Sequence, residues 1–180
     1  MQHNRKLHIS TGGSRKAVNW PDCEMMWQDF VEKLKIPVKS TETLQEYLAY
    51  PKAKQDELKD VGGFVGGTFA GNRRKANAVT GRDLLTLDLD NIPAGGGAEI
   101  LKRVGGLGCA AVVYSTRKHA GYAPRLRVVI PADRTMQPDE YEPAARKLAF
   151  LIGMEYCDPT TFEASRLMYW PSCCSDSAYV

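Results

Sequence analysis

The sequence predicts an α+β domain whose core, residues 83–171, runs strand, helix, strand, strand, helix, strand, the ferredoxin-like or RNA-recognition-like βαββαβ order. Three observations carry this prediction. Leu84-Leu-Thr-Leu-Asp-Leu-Asp-Asn91 alternates between two faces with a period of two, as a half-buried strand does. Residues 109–115 form a short apolar run bounded by glycine and polar residues, and residues 125–130 read as a further strand. Between and after these lie two stretches of helical spacing, residues 98–104 and the segment from Pro138 to Ile152. In that topology the first and third core strands are central neighbours, so the Asp88/Asp90 strand lies beside the Arg125/Arg127 strand. An α/β extension precedes the core.

The chain divides into a mainly helical part, residues 1–60, and a core, residues 61–171, of one domain spanning 1–180. Residues 8–16 combine a short strand with a Gly-rich basic loop, whose amides and Arg15-Lys16 pair suit a phosphate. Asp22 can cap a helix carrying Met26, Phe30, Val31 and Leu34, which Pro37 stops. Thr43-Leu-Gln-Glu46 has capping-box spacing and opens a second helix. Pro51 starts a third, charged helix through Leu58, and Gly62-Gly63 ends it. Residues 63–71 read as one glycine-laden strand that admits another backbone or a ligand closely. Asn72-Arg-Arg-Lys75 is a basic turn into the aspartate strand.

After the turn at residues 91–97, a short helix over 98–104 stops at Gly105-Gly106. Residues 116–124 form a loop into the strand where Arg125 and Arg127 share a face. Pro138 and Asp139 open the last helix, with Pro143 a misfit late for its first turn. Leu167-Met-Tyr-Trp170 is the final core strand, ended by Pro171.

A chain of 180 residues can bury a sizeable core. Its formal charge of +3 does not by itself announce a nucleic-acid binder. The charge is unevenly placed, however: residues 1–18, 71–82 and 117–127 hold no acid and together carry twelve of the 24 Lys and Arg. Five cysteines without a C-x-x-C pair indicate neither a disulfide framework nor a standard zinc set, and fit a reducing cytoplasm. No apolar run approaches 18 residues and no signal peptide opens the chain, so a soluble cytoplasmic protein is expected, with no membrane partner. The ending at Val180 without a capping signal reads as the boundary of an N-terminal fragment of a longer protein.

Asp88 and Asp90 share one face of their strand, roughly 6.5 Å apart by strand geometry. Two carboxylates held so near repel each other, and a hard cation such as Mg²⁺ relieves that repulsion. The dipeptide alone is equally compatible with a wet strand end beside a turn. Downstream, Ser115, Lys118, His119, Arg125 and Arg127 supply many donors and no acids, which suits a triphosphate. Asp158 adds a third carboxylate before the last strand, and Arg166 enters that strand.

With these residues in place the chain resembles the archaeo-eukaryotic primase superfamily, in its phage and mobile-element primase-polymerase branch. The family's marks are a hydrophobic-D-hydrophobic-D motif, a serine-to-histidine motif after the next strand, and a third acid before a final strand bearing arginine. Here they are Leu87-Asp-Leu-Asp90, Ser115-Thr-Arg-Lys-His119 and Asp158. The serine-to-histidine spacing is longer than usual by two residues. The run from Asp60 to Thr68 is similar to the phage-type N-terminal primase region.

The resemblance implies a DNA-dependent nucleotidyltransferase that makes or extends primers from nucleoside triphosphates on a single-stranded DNA template. It also implies a helicase domain or partner. On it, Asp88, Asp90 and Asp158 are assigned to two Mg²⁺ or Mn²⁺ ions and His119 with Arg127 to the incoming triphosphate. Ser115, Lys118, Arg125 and Arg166 are further phosphate candidates. Two rivals remain: a phosphatase of the haloacid dehalogenase type, which also uses D-x-D after a strand, and a non-catalytic nucleic-acid-binding sheet using Tyr114, Tyr122 and Tyr169 for stacking.

Overall fold

Residues 3–180 are described by a computed structural model. In chain order the elements are β1 (Lys6–Gly12), β2 (Asp22–Met26), α1 (Trp27–Lys35), β3 (Val38–Lys39), α2 (Leu44–Ala49) and α3 (Lys52–Leu58). Then follow β4 (Gly63–Val65), β5 (Gly67–Phe69), β6 (Val79–Leu89), α4 (Gly97–Gly105) and β7 (Val112–Ser115). The chain closes with β8 (Leu126–Met136), α5 (Pro138–Ile152), β9 (Met168–Tyr169) and β10 (Ser172–Cys173). The α+β class holds, with two antiparallel sheets of four strands, ordered β2-β1-β4-β9 and β5-β6-β8-β7, and a small parallel pair, β10-β3.

The central adjacency expected from the sequence is present. β6 and β8 pair antiparallel, with Asp88 opposite Arg127, and β7 flanks β8 with Tyr114 opposite the same arginine. Leu87, Leu89, Val128 and Ile130 pack against Ile100 of α4 and Leu148 of α5. Full burial of each such side chain is worth about 1.5–3 kcal/mol, so this face anchors the sheet. Gln137 and Glu140 close the start of α5, where the Glu140 carboxylate accepts from the Gln137 N–H and Pro138 takes the first-turn place that needs no donor.

Two groups of expectations are corrected. The last strand, β9, does not join the aspartate sheet but pairs with β4 in the N-terminal one. β6 has no edge left for it: β5 takes its first half, and at its far end the Asp90 N–H donates to Tyr156 O while the Asp158 N–H donates to Asp88 O. The glycine-laden stretch is accordingly two strands in two sheets, crossing at Gly66. There a Cβ would stand 2.5 Å from that of Leu84, and the Gly66 carbonyl accepts from both Asp83 and Leu84.

Second, Asp22 does not cap a helix, because residues 22–26 pair with β1 and the helix starts at Trp27. Cys23 and Met25 alternate onto the core, and Trp27, Phe30 and Leu34 continue it at helical spacing. The N-terminal part thus contributes a sheet as well as helices, and the capping box at Thr43 and the helix after Pro51 form as expected.

The aspartate face of the sheet is covered along part of its length. Leu84, Val129 and Tyr114 on that face are covered by Ile9, Phe30 and Phe64 of the N-terminal layer. Only the end bearing Asp88 and Asp90 opens, into a cleft of about 690 Å³.

Candidate active site

Strand alternation sets Asp88 and Asp90 on the cleft side of β6, and a local turn brings Asp158 to them. The Asp158 side chain accepts from the Thr160 N–H at 2.9 Å and its hydroxyl at 2.7 Å, capping the turn that Pro159 opens. Thr161 fastens that turn to β6: its Oγ1 accepts from the Asp88 N–H at 3.1 Å and donates to Thr86 O at 2.9 Å. Three acids that lie 70 residues apart in the chain thereby line one cavity.

Each acid holds an arginine. Arg127 Nη2 donates to Asp88 Oδ2 at 2.9 Å, Arg125 Nη1 lies 2.9 Å from Asp90 Oδ2, and Arg166 Nη2 donates to Asp158 Oδ2 at 3.0 Å. Arg127 is buried, and its Nη1 donates to Tyr114 Oη and Tyr169 O. Burial works against its charge, but Asp88 and Tyr114 outweigh that and raise its pKa. Burial likewise opposes the charged form of Asp158, yet the Thr160 hydrogen bonds and Arg166 hold its carboxyl below the usual range. Asp90 goes the other way: burial, then the charge of Asp88, push its carboxyl up against the pull of Arg125 and Arg127.

The Asp88 Oδ1 atom is buried and makes no hydrogen bond, and Asp90 carries the repulsion of its neighbour. One uncommitted carboxylate oxygen beside a second, strained carboxylate is a donor set that a hard cation takes, so the pair fits. Asp158 accepts from Thr160 on Oδ1 and from Arg166 on Oδ2, which leaves it the second lone pair of Oδ2 to offer. Among the described residues no three acids, histidines or cysteines already stand in a metal-holding group.

Of the remaining expected residues, Ser115, Lys118, Arg125 and Arg166 line the cleft. The Ser115 hydroxyl accepts from the Val180 N–H at 3.1 Å. His119 does not line it. Its Nδ1 accepts from the Arg125 N–H at 3.2 Å and so closes the loop that carries Lys118. Tyr114 is buried and cannot stack a base, whereas Tyr169 lines the cleft and Tyr122 is exposed.

Sequence reasoning missed Lys52 and Lys59, which reach the cleft from α3, because alone they read as the wet face of a charged helix. The lining carries ten Lys and Arg against four Asp and Glu, far more cationic than the chain's +3 suggests. The phosphatase of the haloacid dehalogenase type, whose motif opens a doubly wound parallel sheet, does not fit the topology: the sheet around Asp88 is antiparallel. Among the described residues no helix is long and apolar enough to cross a membrane.

The family model described as the VapE N-terminal domain matches residues 1–180. No curated protein matches the chain. Among solved structures it is similar to the AEP domain (PP-N190) of the Cyanophage S-2L primase-polymerase. The identity is 14% and the TM-score 0.47, and the match covers 93% of this chain and 74% of that one.

Proposed function

The chain belongs to the VapE N-terminal domain family, and from that premise we propose that it is a DNA-dependent nucleotidyltransferase making or extending primers in phage or mobile-element replication. The membership agrees with the motif resemblance to the archaeo-eukaryotic primase superfamily. The single observation that carries the reading is the meeting of Asp88, Asp90 and Asp158 in one otherwise cationic cleft. A nucleic-acid-binding surface gains nothing from carboxylates there, since they repel the phosphates it must hold.

In this reading Asp88 and Asp90, with Asp158 as third ligand, hold Mg²⁺ or Mn²⁺. The ions would lower the pKa of the attacking 3′-hydroxyl and neutralise charge developing on the phosphates. The protein's own groups do the rest. Arg127 orients Asp88 from the neighbouring strand through Oδ2 and leaves Oδ1 without a hydrogen-bond partner. Lys118, Arg125 and Arg166 present donors to the triphosphate, and Ser115 adds a hydroxyl. His119 holds the loop that positions Lys118 and Arg125. A single-stranded DNA template and nucleoside triphosphates are the substrates, and a helicase domain or partner supplies the open strand.

Template-directed synthesis with Mg²⁺ or Mn²⁺ tests the proposal, comparing the wild type with Asp88→Ala/Asp90→Ala. Synthesis by the first and none by the second is expected. One observation favours a second reading, a binding module: every acid is already closed by an arginine. That reading predicts DNA binding without synthesis, and no Mn²⁺ binding that Asp88→Ala removes.

A further inference from the structure

Away from the acids the cleft is closed by residues that no motif includes. Arg15, from the segment joining β1 and β2, and Lys52 and Lys59, from α3, all line it. They share one carboxylate: Arg15 Nη1 is 3.4 Å, Lys52 Nζ 3.0 Å and Lys59 Nζ 2.9 Å from the oxygens of Asp56. One acid cannot neutralise three cations. Asp60, the other carboxylate nearby, accepts from the Ser14 hydroxyl and the Arg15 backbone N–H, and counting its charge still leaves three cations facing two acids.

Lys118 lines the same cavity, and Lys59 is held 5.3 Å above the ring of Tyr169, which lines it too. The pKa of Lys118 is lowered by burial first and then by Lys52, Arg125 and Lys59, so the field of the α3 lysines extends to the nucleotide end. Such crowding of like charge costs stability unless a polyanion relieves it.

We propose that Arg15, Lys52 and Lys59 form a second phosphate subsite, which grips the backbone of a single nucleic-acid strand running along the cleft toward Asp88 and Asp90. A strand is favoured over a second triphosphate by exposure: the Lys52 side chain is 69% exposed and stands at the mouth, where a backbone can pass but a small ligand is not enclosed. The inference deepens the nucleotidyl-transfer reading and rests on it only for the strand's role as template or primer.

The test is anisotropy of a labelled oligothymidine with the intact chain across a salt series, with chelator and no nucleotide. For single strands each lost phosphate contact flattens the slope of log K against log salt by about 0.7, so Lys52→Ala/Lys59→Ala should lose about 1.4. Lys52→Arg/Lys59→Arg should restore the slope. The charge-matched control Lys102→Ala/Lys147→Ala, on exposed positions of α4 and α5 outside the cleft, should leave it unchanged. An unchanged slope in the first variant, or an equal loss in the control, overturns the proposal. So does loss of inorganic tripolyphosphate binding in place of strand binding. Because no synthesis is measured, failure of Asp88→Ala/Asp90→Ala to abolish activity would sink the catalytic reading and leave this subsite standing.

Discussion

Arg127 and Asp88 occupy directly opposed positions on the two central strands, and their side chains close a hydrogen-bonded ion pair of 2.9 Å, with Arg127 6% and Asp88 8% exposed. A pair so buried is not a source of net stability by itself, but removing one partner strands the other charge. Arg127→Ala is expected to lower stability by about 3–5 kcal/mol. Asp88→Asn/Arg127→Ala should lose distinctly less than Asp88→Asn and Arg127→Ala added together. Urea unfolding of the four species measures this, and additive losses would show that the pair does not act as a unit.

Thr161 ties the Asp158 turn to the aspartate strand through two hydrogen bonds. Thr161→Val keeps the shape, leaves the Asp88 N–H unpaired in a buried place and takes from the Thr86 carbonyl one of its donors, the Tyr141 hydroxyl remaining, at a cost of about 1–3 kcal/mol. Thr161→Ser should retain most of the stability. Thermal melts of both variants check this, and equal losses in the two would point to packing in place of hydrogen bonding.

Outside the cleft, Glu140 is held at a pKa of about 2 by Arg134 first and by the Gln137 N–H second. A carboxyl lowered on folding contributes stability above its unfolded pKa of about 4.3 and loses it as pH falls through the folded value. The gap in urea midpoint between wild type and Glu140→Gln should therefore be full at pH 6 and narrow steadily below pH 4.5. A gap that stays constant over that range would contradict the assignment.

His119 braces Arg125 through Nδ1. On the proposed function, His119→Ala should raise the KM for nucleotide by roughly tenfold, the worth of one lost hydrogen bond of about 1.4 kcal/mol, with a smaller effect on kcat. His119→Asn, which can present an acceptor near the same place, should recover part of it. Steady-state kinetics decides, and an equal loss in kcat for both variants would mean that the imidazole itself meets the reacting phosphate.

Much of the fold was legible in local pattern. The period of two in residues 84–90 placed Leu85, Leu87 and Leu89 opposite Asp88 and Asp90, and the structure keeps the acids on the cleft side of β6. The capping box at Thr43 and proline at the start of α5 are short-range hydrogen-bond chemistry, so they survive any tertiary arrangement. The adjacency of β6 and β8 followed from topology rules that hold across folds.

By itself the sequence determined the strands of the core at residues 84–90, 109–115 and 125–130, most of the helices and the face on which the candidate acids stand, because each depends on neighbours a few residues away. Tertiary structure alone decided that β5 rather than the last strand lies beside β6, and that residues 156–158 close the rest of that edge. It alone brought Lys52 and Lys59 across from α3 to the same cavity. The physical reason is common to all three: a strand edge and a charged helix face offer the same unpaired groups to any partner, and only the packing of distant apolar residues such as Phe30, Phe64 and Leu84 selects which partner arrives.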